Sequence, residues 1–583
     1  MINDSLIKRV FGSYLFISIL STLTATVGML VDGIVVGQVL GAQCVSAFGL
    51  ASPIVILTAA AAGIFSNGGS AAVSIHLGSG DEHAVRLNFT VTCMGTLLCS
   101  ALFTILLMMF DTQIAALLGA SAEMIPLTAD YIRGVAIGMI PTMMTQVIMI
   151  YIRLNDGAKT SFLSVICMTA CNIALDLIFT KQFQMGMFGM GLATSISYLV
   201  AMLVCCTHFL RKSNIFRFVL PQKGIRELAH VINMGTPSAL NRLCMTIRGI
   251  SLNHLLLTLG GAVAVSALAV QNNVNQVLSS ITMGVGMTAT MLAGLFFGER
   301  DEKMMEKALR VAMKTGVTLS AVTSIAVILF AQPIVGLFLK GNPEGMQLAV
   351  RSLRFFCLSL PLSLACVVLL NFYQCTKNLL MANIICIAHG MAFVLMTAFA
   401  LSPILKTDAV WISFLCAEVL TLLLVLVIIR IRSGRWVRSW LDLAMLPANF
   451  RPQPDHVLDV SIAGEMEQVM ELSKRIHEFC QKHTQEQEKI SKLALCIEEL
   501  AGNIVRYGHK GRKQLTIDIR ILISENGITL RIRDDGPPFN PTQYNEERQP
   551  TLGGTLGLRI VRGIAKEIQY TGAAGINSLT IHL

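Results

Sequence analysis

Met29-Leu30-Val31-Asp32-Gly33 sets one carboxylate inside the first apolar run, and Phe11 to Val36 around it carries no other charged side chain. A run of about 20 apolar residues crosses a bilayer. An acid there costs roughly 2.5–3.5 kcal/mol on insertion scales, so it must face protein or water, not lipid. Asp32 is therefore a functional-site candidate. The plainer alternative is a residue near the outer end of the helix that caps it and has no functional role.

Working outward, the 583-residue chain is 54% hydrophobic and 14% charged, far more apolar than a soluble protein. The composition breaks near Arg451. Before it, charges sit in short clusters between long apolar runs; after it, Glu, Lys, Arg and His are dense, as in a soluble domain of ordinary size. Twelve runs of spanning length are expected. With the N-terminus inside, roughly twenty basic residues fall on the inner segments against three to five outside, a strong positive-inside bias. Lys8, Arg9, Arg86, Arg153 and Lys159 are inner; Lys181, Lys340 and Lys406 are outer. Both termini are thus expected in the cytoplasm of a cell whose plasma membrane holds the chain, and a bacterial source is expected. The net charge of +10 then belongs to membrane orientation and not to nucleic acid. The 15 cysteines include no Cys-x-x-Cys pair, so their spacing supports neither disulfides nor zinc.

The chain repeats itself. Gly41-Ala42-Gln43-Cys44-Val45-Ser46-Ala47 returns as Gly261-Ala262-Val263-Ala264-Val265-Ser266-Ala267, and Gly78-Ser79-Gly80-Asp81-Glu82 as Gly298-Glu299-Arg300-Asp301-Glu302. One offset of 220 residues serves both, and Pro141 with Pro361. Six spans per copy is even, so the expected architecture is two parallel six-helix repeats, with sites near the midplane. The polar residues are unequal between copies. Asn172 and Asp176 share a helical face at i,i+4, and Thr194 follows in the next span. Leu252 and Met396 stand at the second-copy positions of Asp32 and Asp176, leaving Glu418 as the comparable second-copy acid. Two carboxylates brought together in low dielectric cannot both stay ionised cheaply, so they hold a proton or share a cation. The alternative for Asp176 is an end-of-helix residue beside Lys181.

Twelve spans, a parallel repeat, Val31-Asp32-Gly33 and Asn172-x-x-x-Asp176 together resemble the multidrug and toxic compound extrusion family of cation-coupled exporters. The resemblance covers about Leu6 to Arg432. It implies a transport cation site at Asp32, Asn172, Asp176 and Thr194, taking H⁺ or Na⁺, and lipophilic cationic small molecules as cargo. Arg153-Leu154-Asn155-Asp156-Gly157 looks like the family's turn after the fourth span, whereas Met149 stands where relatives often carry an amide.

The expected domains are residues 1–222 and 223–440 for the two lobes, 441–454 for an interfacial linker and 455–583 for a cytosolic α/β-sandwich domain. Arg435-Trp436-Val437-Arg438-Ser439-Trp440 suits a headgroup interface, and Pro447, Pro452 and Pro454 stiffen the linker. Strands are expected near Val457–Ile462, Gln514–Ile523, Gly527–Arg533 and Ser578–Leu583, the middle two joined by a Ser-Glu-Asn-Gly turn. Helices are expected over Glu465–His483, Gln485–Tyr507 and Leu556–Ile568. Glu499 and Asn503 share a face of the second; Asp534-Asp535-Gly536-Pro537-Pro538-Phe539 follows the hairpin, and Gly553-Gly554-Thr555-Leu556-Gly557 opens the third. In this order the three pieces resemble the ATP-binding fold of histidine kinases, gyrase-type ATPases and anti-sigma-factor serine kinases, the last most of all. That resemblance implies Asn503 holding Mg²⁺, Glu499 as base, Asp534 on the adenine amino group, and Gly536, Gly554 and Gly557 forming the nucleotide loops, with phosphates at a helix N-terminus. Pro538 and Ser578 depart from the family's glycine and threonine. No Gly-x-x-x-x-Gly-Lys-[Ser/Thr] loop occurs, which excludes a transport ATPase of that kind. Two functions fit these residues: an exporter with an ATP-binding regulatory domain, or a membrane-tethered serine kinase for a small antagonist protein, with the carrier fold as sensor.

Overall fold

In lipid every backbone N–H and C=O must be satisfied within its own segment, so long apolar runs become helices. The computed structural model describes all residues except 1–4, 212–213, 222–223, 340–342, 448–449, 451–455, 484–486, 509–514, 525–526 and 543–554. Gly553, Gly554, Pro452, Pro454, Lys340 and the turn residues Glu525 and Asn526 lie outside the described residues. Ten described helices are long and apolar enough to cross a membrane, and the pair Ile125–Ile137 and Met139–Leu154, bent by 50°, makes an eleventh span. The longest, Gly224–Gly298, has 75 residues but is broken at Gly261 (φ 62°, ψ −159°). At 1.5 Å per residue an unbroken helix of that length would run to about 110 Å, several times the bilayer core. Divided at Gly261, it supplies the seventh and eighth spans and accommodates the twelve segments expected.

The 220-residue repeat is written in the backbone. Gly41 and Gly261 both have positive φ (91° and 62°), as do Gly80 and Arg300 (73° and 53°) and Gly186 and Lys406 (56° and 50°). Asp81 and Asp301 each cap the next span, accepting from the N–H of Ala84 at 2.9 Å and of Met304 at 3.1 Å. The lobes meet through the second span, Ala42–Ser79, and the eighth. At one end they touch backbone to backbone: a Cβ on Gly78 would strike the Leu295 carbonyl, and one on Gly298 the Ile75 carbonyl. At the other end, Gly41 and Gly261 have nothing within 4 Å of such a Cβ.

The C-terminal domain is a five-stranded antiparallel sheet of order β1-β2-β3-β5-β4. Its strands are β1 (Val457–Ala463), β2 (Thr516–Ser524), β3 (Gly527–Asp534), β4 (Glu567–Ala573) and β5 (Ile576–His582). Side chains alternate faces along each strand. Val460, Ile462, Ile517, Ile519, Ile521, Leu530, Ile532, Leu579 and Ile581 form one face and pack on the helices Met466–His483 and Gln487–Gly508. The opposite face is polar, with Asp459, Asp518, Arg520, Arg531, Arg533, Ser578 and Thr580, and it lies against the membrane part. One element differs from expectation. The third helix, Thr555–Ile564, stops short of Ile568, and β4 begins at Glu567. Its pairing with β5 turns at Ala574 and Gly575, both at positive φ (59° and 73°), the backbone a two-residue hairpin turn requires.

Candidate transport and nucleotide sites

Asp32 lies in the first span four residues before a π-helical turn, Val36–Leu40, and Asp176 two residues before another, Ile178–Gln182. A π turn adds a residue to the helix and re-aims side chains, a device common at functional sites. The two turns touch, and the Asp32 and Asp176 carboxyls come within hydrogen-bonding contact of each other. Asn172 Nδ2 donates to Asp176 Oδ2 at 3.5 Å, across the expected i,i+4 face. Asp32 Oδ1 and Asp176 Oδ1 are buried and have no hydrogen-bond donor among the described residues. Thr194 is placed nearby in sequence terms only: its hydroxyl donates to the Met190 carbonyl at 3.2 Å. Two residues were missed. Tyr131 lies within electrostatic reach of both acids and Tyr198 of Asp32, and Tyr131 stacks edge-on to Phe48 at 5.2 Å. Tyr198 was findable, being four residues beyond Thr194 on the same helical face.

In the C-terminal domain, Glu499 and Asn503 lie on one face of the helix Gln487–Gly508, half-buried. Asn503 Oδ1 is buried with no donor among the described residues. Gly557, in the first turn of the third helix, lies so close to Glu499 that a Cβ would collide with its carboxylate. Asp534 ends β3; its Oδ1 accepts from the Gly536 N–H at 2.7 Å and from Asn577 Nδ2 at 2.9 Å. The β5 partner of the aspartate loop is thus Asn577, paired in register with Asp534, and not Ser578. Ser578 points to the opposite face, as alternation demands, and donates to Glu299 Oε1 at 2.9 Å. An orphaned amide oxygen beside a carboxylate, with Gly557 in the first helical turn against that carboxylate, suits a hydrated Mg²⁺ and phosphate oxygens.

The polar sheet face is where the two parts of the chain join. Arg533, 1% exposed, bridges Glu299 and Asp301, the latter at 2.7 Å, and its guanidinium lies 5.6 Å from the Phe296 ring centroid. Arg520 pairs with Asp301, and Lys303 with Asp459 at 2.9 Å. These are second-lobe contacts. To the first lobe, Arg9 reaches Thr516 at 2.6 Å and Asp535 at 3.1 Å, and the β4–β5 turn docks on Asp156. The Gly575 N–H donates to Asp156 Oδ1 at 2.7 Å, as does the Tyr14 hydroxyl at 3.1 Å, while the Ala574 N–H donates to the Leu154 carbonyl. Burial works to raise the Asp301 carboxyl, but Arg533, Arg520 and the Met304 N–H outweigh it and hold it well below the usual range. Burial raises Asp156, with the Gly575 N–H and Tyr14 opposing.

This architecture defines a multi-pass membrane protein of two repeated helical lobes with paired acids within its spans, carrying an ATP-binding-type α/β domain on the face where the lobes touch. The MatE family matches residues 18–178 and 237–400, more than half of the chain, and the chain belongs to that family. Residues 462–583 match the histidine kinase-like ATPase domain, which implies ATP binding. Similar curated proteins include multidrug export protein MepA of Staphylococcus saprophyticus, 26% identical over 400 residues, covering 67% of this chain and 86% of that protein. Probable multidrug resistance protein YoeA of Bacillus subtilis is 23% identical over 435 residues, covering 72% and 92%. Among solved structures, an outward-facing multidrug resistance MATE family transporter of the MOP superfamily aligns with TM-score 0.68 at 20% identity, covering 74% of this chain and 96% of that one. A MOP superfamily transporter from Pyrococcus furiosus aligns with TM-score 0.67 at 20% identity over the same shares. These establish the shared fold of the membrane part.

Proposed function

We propose that this protein is a cation-coupled exporter of lipophilic cationic small molecules, whose ATP-binding domain gates movement of the two lobes. The carrying observation is the contact between the Asp32 and Asp176 carboxyls, each with an unpartnered buried oxygen. A proton or Na⁺ between them relieves the repulsion of two charges in low dielectric. Asn172 steadies Asp176. Loss of the cation in one orientation and its gain in the other then biases the lobes, because the acids lie on two different spans. The relatives named as multidrug exporters support the cargo class. The domain face is assigned to the cytoplasm on the basic bias of its segments.

The gating role rests on the joint itself. The domain binds the first lobe through Arg9, Leu154 and Asp156 and the second through Glu299, Asp301 and Lys303. For the lobes to part at this end, one set must break. Asp535 touches Arg9 and adjoins Asp534, so adenine on Asp534 and Mg²⁺ on Asn503 with phosphates at Gly536 and Gly557 act next to that set. If nucleotide binds strapped and released forms unequally, cargo and nucleotide affinities are linked reciprocally. Glu499, which lies against Gly557, serves as the base toward the phosphates in this reading.

The test is efflux of a lipophilic cation from proteoliposomes holding the full chain, under an H⁺ or Na⁺ gradient, with and without ATP. Gradient-driven efflux that Asp32→Asn abolishes supports the carrier. Undiminished efflux in that variant sinks it, and efflux indifferent to ATP sinks the gating.

A further inference from the structure

The second lobe holds a group of donors that the transport reading does not use. Cys366 on the tenth span, His389 on the eleventh and Glu418 on the twelfth bring one donor atom each within 4.8 Å of one another. Both Glu418 oxygens lie 2.8 Å from His389 Nδ1, and the Cys366 thiol also hydrogen-bonds that carboxylate. Cys366 is 1% and Glu418 4% exposed, while the His389 ring is partly open to the surroundings. We propose that these three side chains form a binding site for a borderline divalent transition metal of the zinc type.

Two independent features point to the same place. Three π turns occur among the described residues: two adjoin Asp32 and Asp176, and the third, Ala388–Ala392, contains His389. The repeat offset, marked by positive φ at Gly186 and Lys406, sets Glu418 opposite Tyr198, which faces Asp32, and His389 opposite Thr169. The cluster thus occupies in the second lobe the region that holds the acids in the first, with different chemistry. A thiolate, an imidazole and a carboxylate select zinc-like ions over Na⁺, Mg²⁺ or Ca²⁺, which favour oxygen alone. Three protein ligands also leave a fourth position for exchange.

Binding balances simply. The Cys366 thiol loses its proton to solvent as its sulfur bonds the metal, and the imidazole carries its proton on Nε2 so that Nδ1 can donate its lone pair. The thiolate and the Glu418 carboxylate together match the charge of a divalent ion. Arg248, which lies within electrostatic reach of Glu418 and 5.4 Å from the Phe414 ring centroid, is the cation already facing this carboxylate, and it must keep to the Phe414 side.

Co²⁺ reports the site, because a cobalt–thiolate bond absorbs in the near ultraviolet. Purified full chain in detergent should take up one Co²⁺ with that band, displaced by Zn²⁺. Cys366→Ser should lose the band while keeping the parent's melting temperature and elution. Glu418→Gln and His389→Gln should weaken Zn²⁺ binding at least about tenfold, the loss expected for ligand-shell changes. Absence of Co²⁺ and Zn²⁺ uptake by the parent overturns the proposal whatever the variants do. So does a thiolate band that survives in Cys366→Ser, which would place the metal on another cysteine.

Discussion

The guanidinium of Arg9, at the start of the first span, lies 3.1 Å from Asp535, the neighbour of Asp534 in the aspartate loop. A transport helix and a nucleotide loop thus share one ion pair. Arg9 is about one-third exposed, so the pair contributes about 1 kcal/mol at most. Arg9→Ala should leave gradient-driven efflux close to the parent's and flatten its response to ATP. Efflux assays with titrated ATP read both.

Arg533 is a stronger hold. Removing one member of a buried ionic group leaves the others uncompensated, at a cost of about 3–5 kcal/mol. Arg533→Ala should undock the domain, seen as faster proteolysis between Ser433 and Val457 and a loss of energy transfer between labels on the two parts. The double change Glu299→Gln with Asp301→Asn should undock it too, and adding Arg533→Met should restore part of the loss.

The joint should respond to acid in two steps. Asp156, raised by burial, binds a proton more tightly docked than undocked, so docking strengthens as pH falls toward its raised value. Asp301, depressed by Arg533 and Arg520 against burial, does the reverse. Its contribution is complete above the ordinary aspartate value of about 3.9 and is lost as pH falls below it. Energy transfer followed from pH 8 to 3 should rise and then begin to decline below about 4, and Asp156→Asn should remove the rise alone.

Asp176→Asn and Asp32→Asn should each abolish gradient-driven efflux, and Asn172→Ala should reduce it about tenfold, the effect of about 1.4 kcal/mol at one hydrogen bond. Tyr198→Phe keeps the ring and removes the hydroxyl, so it should shift the pH profile of efflux more than its maximum rate. Proteoliposome assays across pH separate these outcomes.

Asn503→Ala should lose Mg²⁺-dependent ATP binding by the full chain, measured by equilibrium titration, with docking unchanged. Gly557→Ala should lose it as well, since the added methyl runs into the Glu499 carboxylate. Gly563→Ala in the same helix meets nothing within 4 Å and should bind as the parent does.

How much of this could be read from the chain depends on sequence distance. Asp32 and Asp176 stood out because a charge among apolar residues is costly wherever it lies. Glu499 and Asn503 stood out because four residues on a helix is one face. Gly41 and Gly261 announced themselves through the repeat. Tyr131 carried no such signal, and the sequence points to Ser578 where the structure pairs Asn577 with Asp534, because register, which decides the face, is set by pairing with β3. Strand β4 had no expected counterpart: its first two residues, Glu567 and Ile568, fell at the end of the expected helix, and the polar residues Gln569 and Thr571 with Gly572 left the rest unassigned. The joint was invisible. Glu299 and Arg533 are 234 residues apart, and each looks like an ordinary surface charge until the polar face of the sheet is seen to be covered.

That covered face sets an order of assembly. The sheet closes only when β5, at the very end of the described chain, pairs with β3. By then every surface it will grip, from Arg9 to Lys303, has already been made and inserted. Synthesis therefore passes through a pair of lobes that are not yet strapped, and the nascent membrane part is at its freest just before β5 is added.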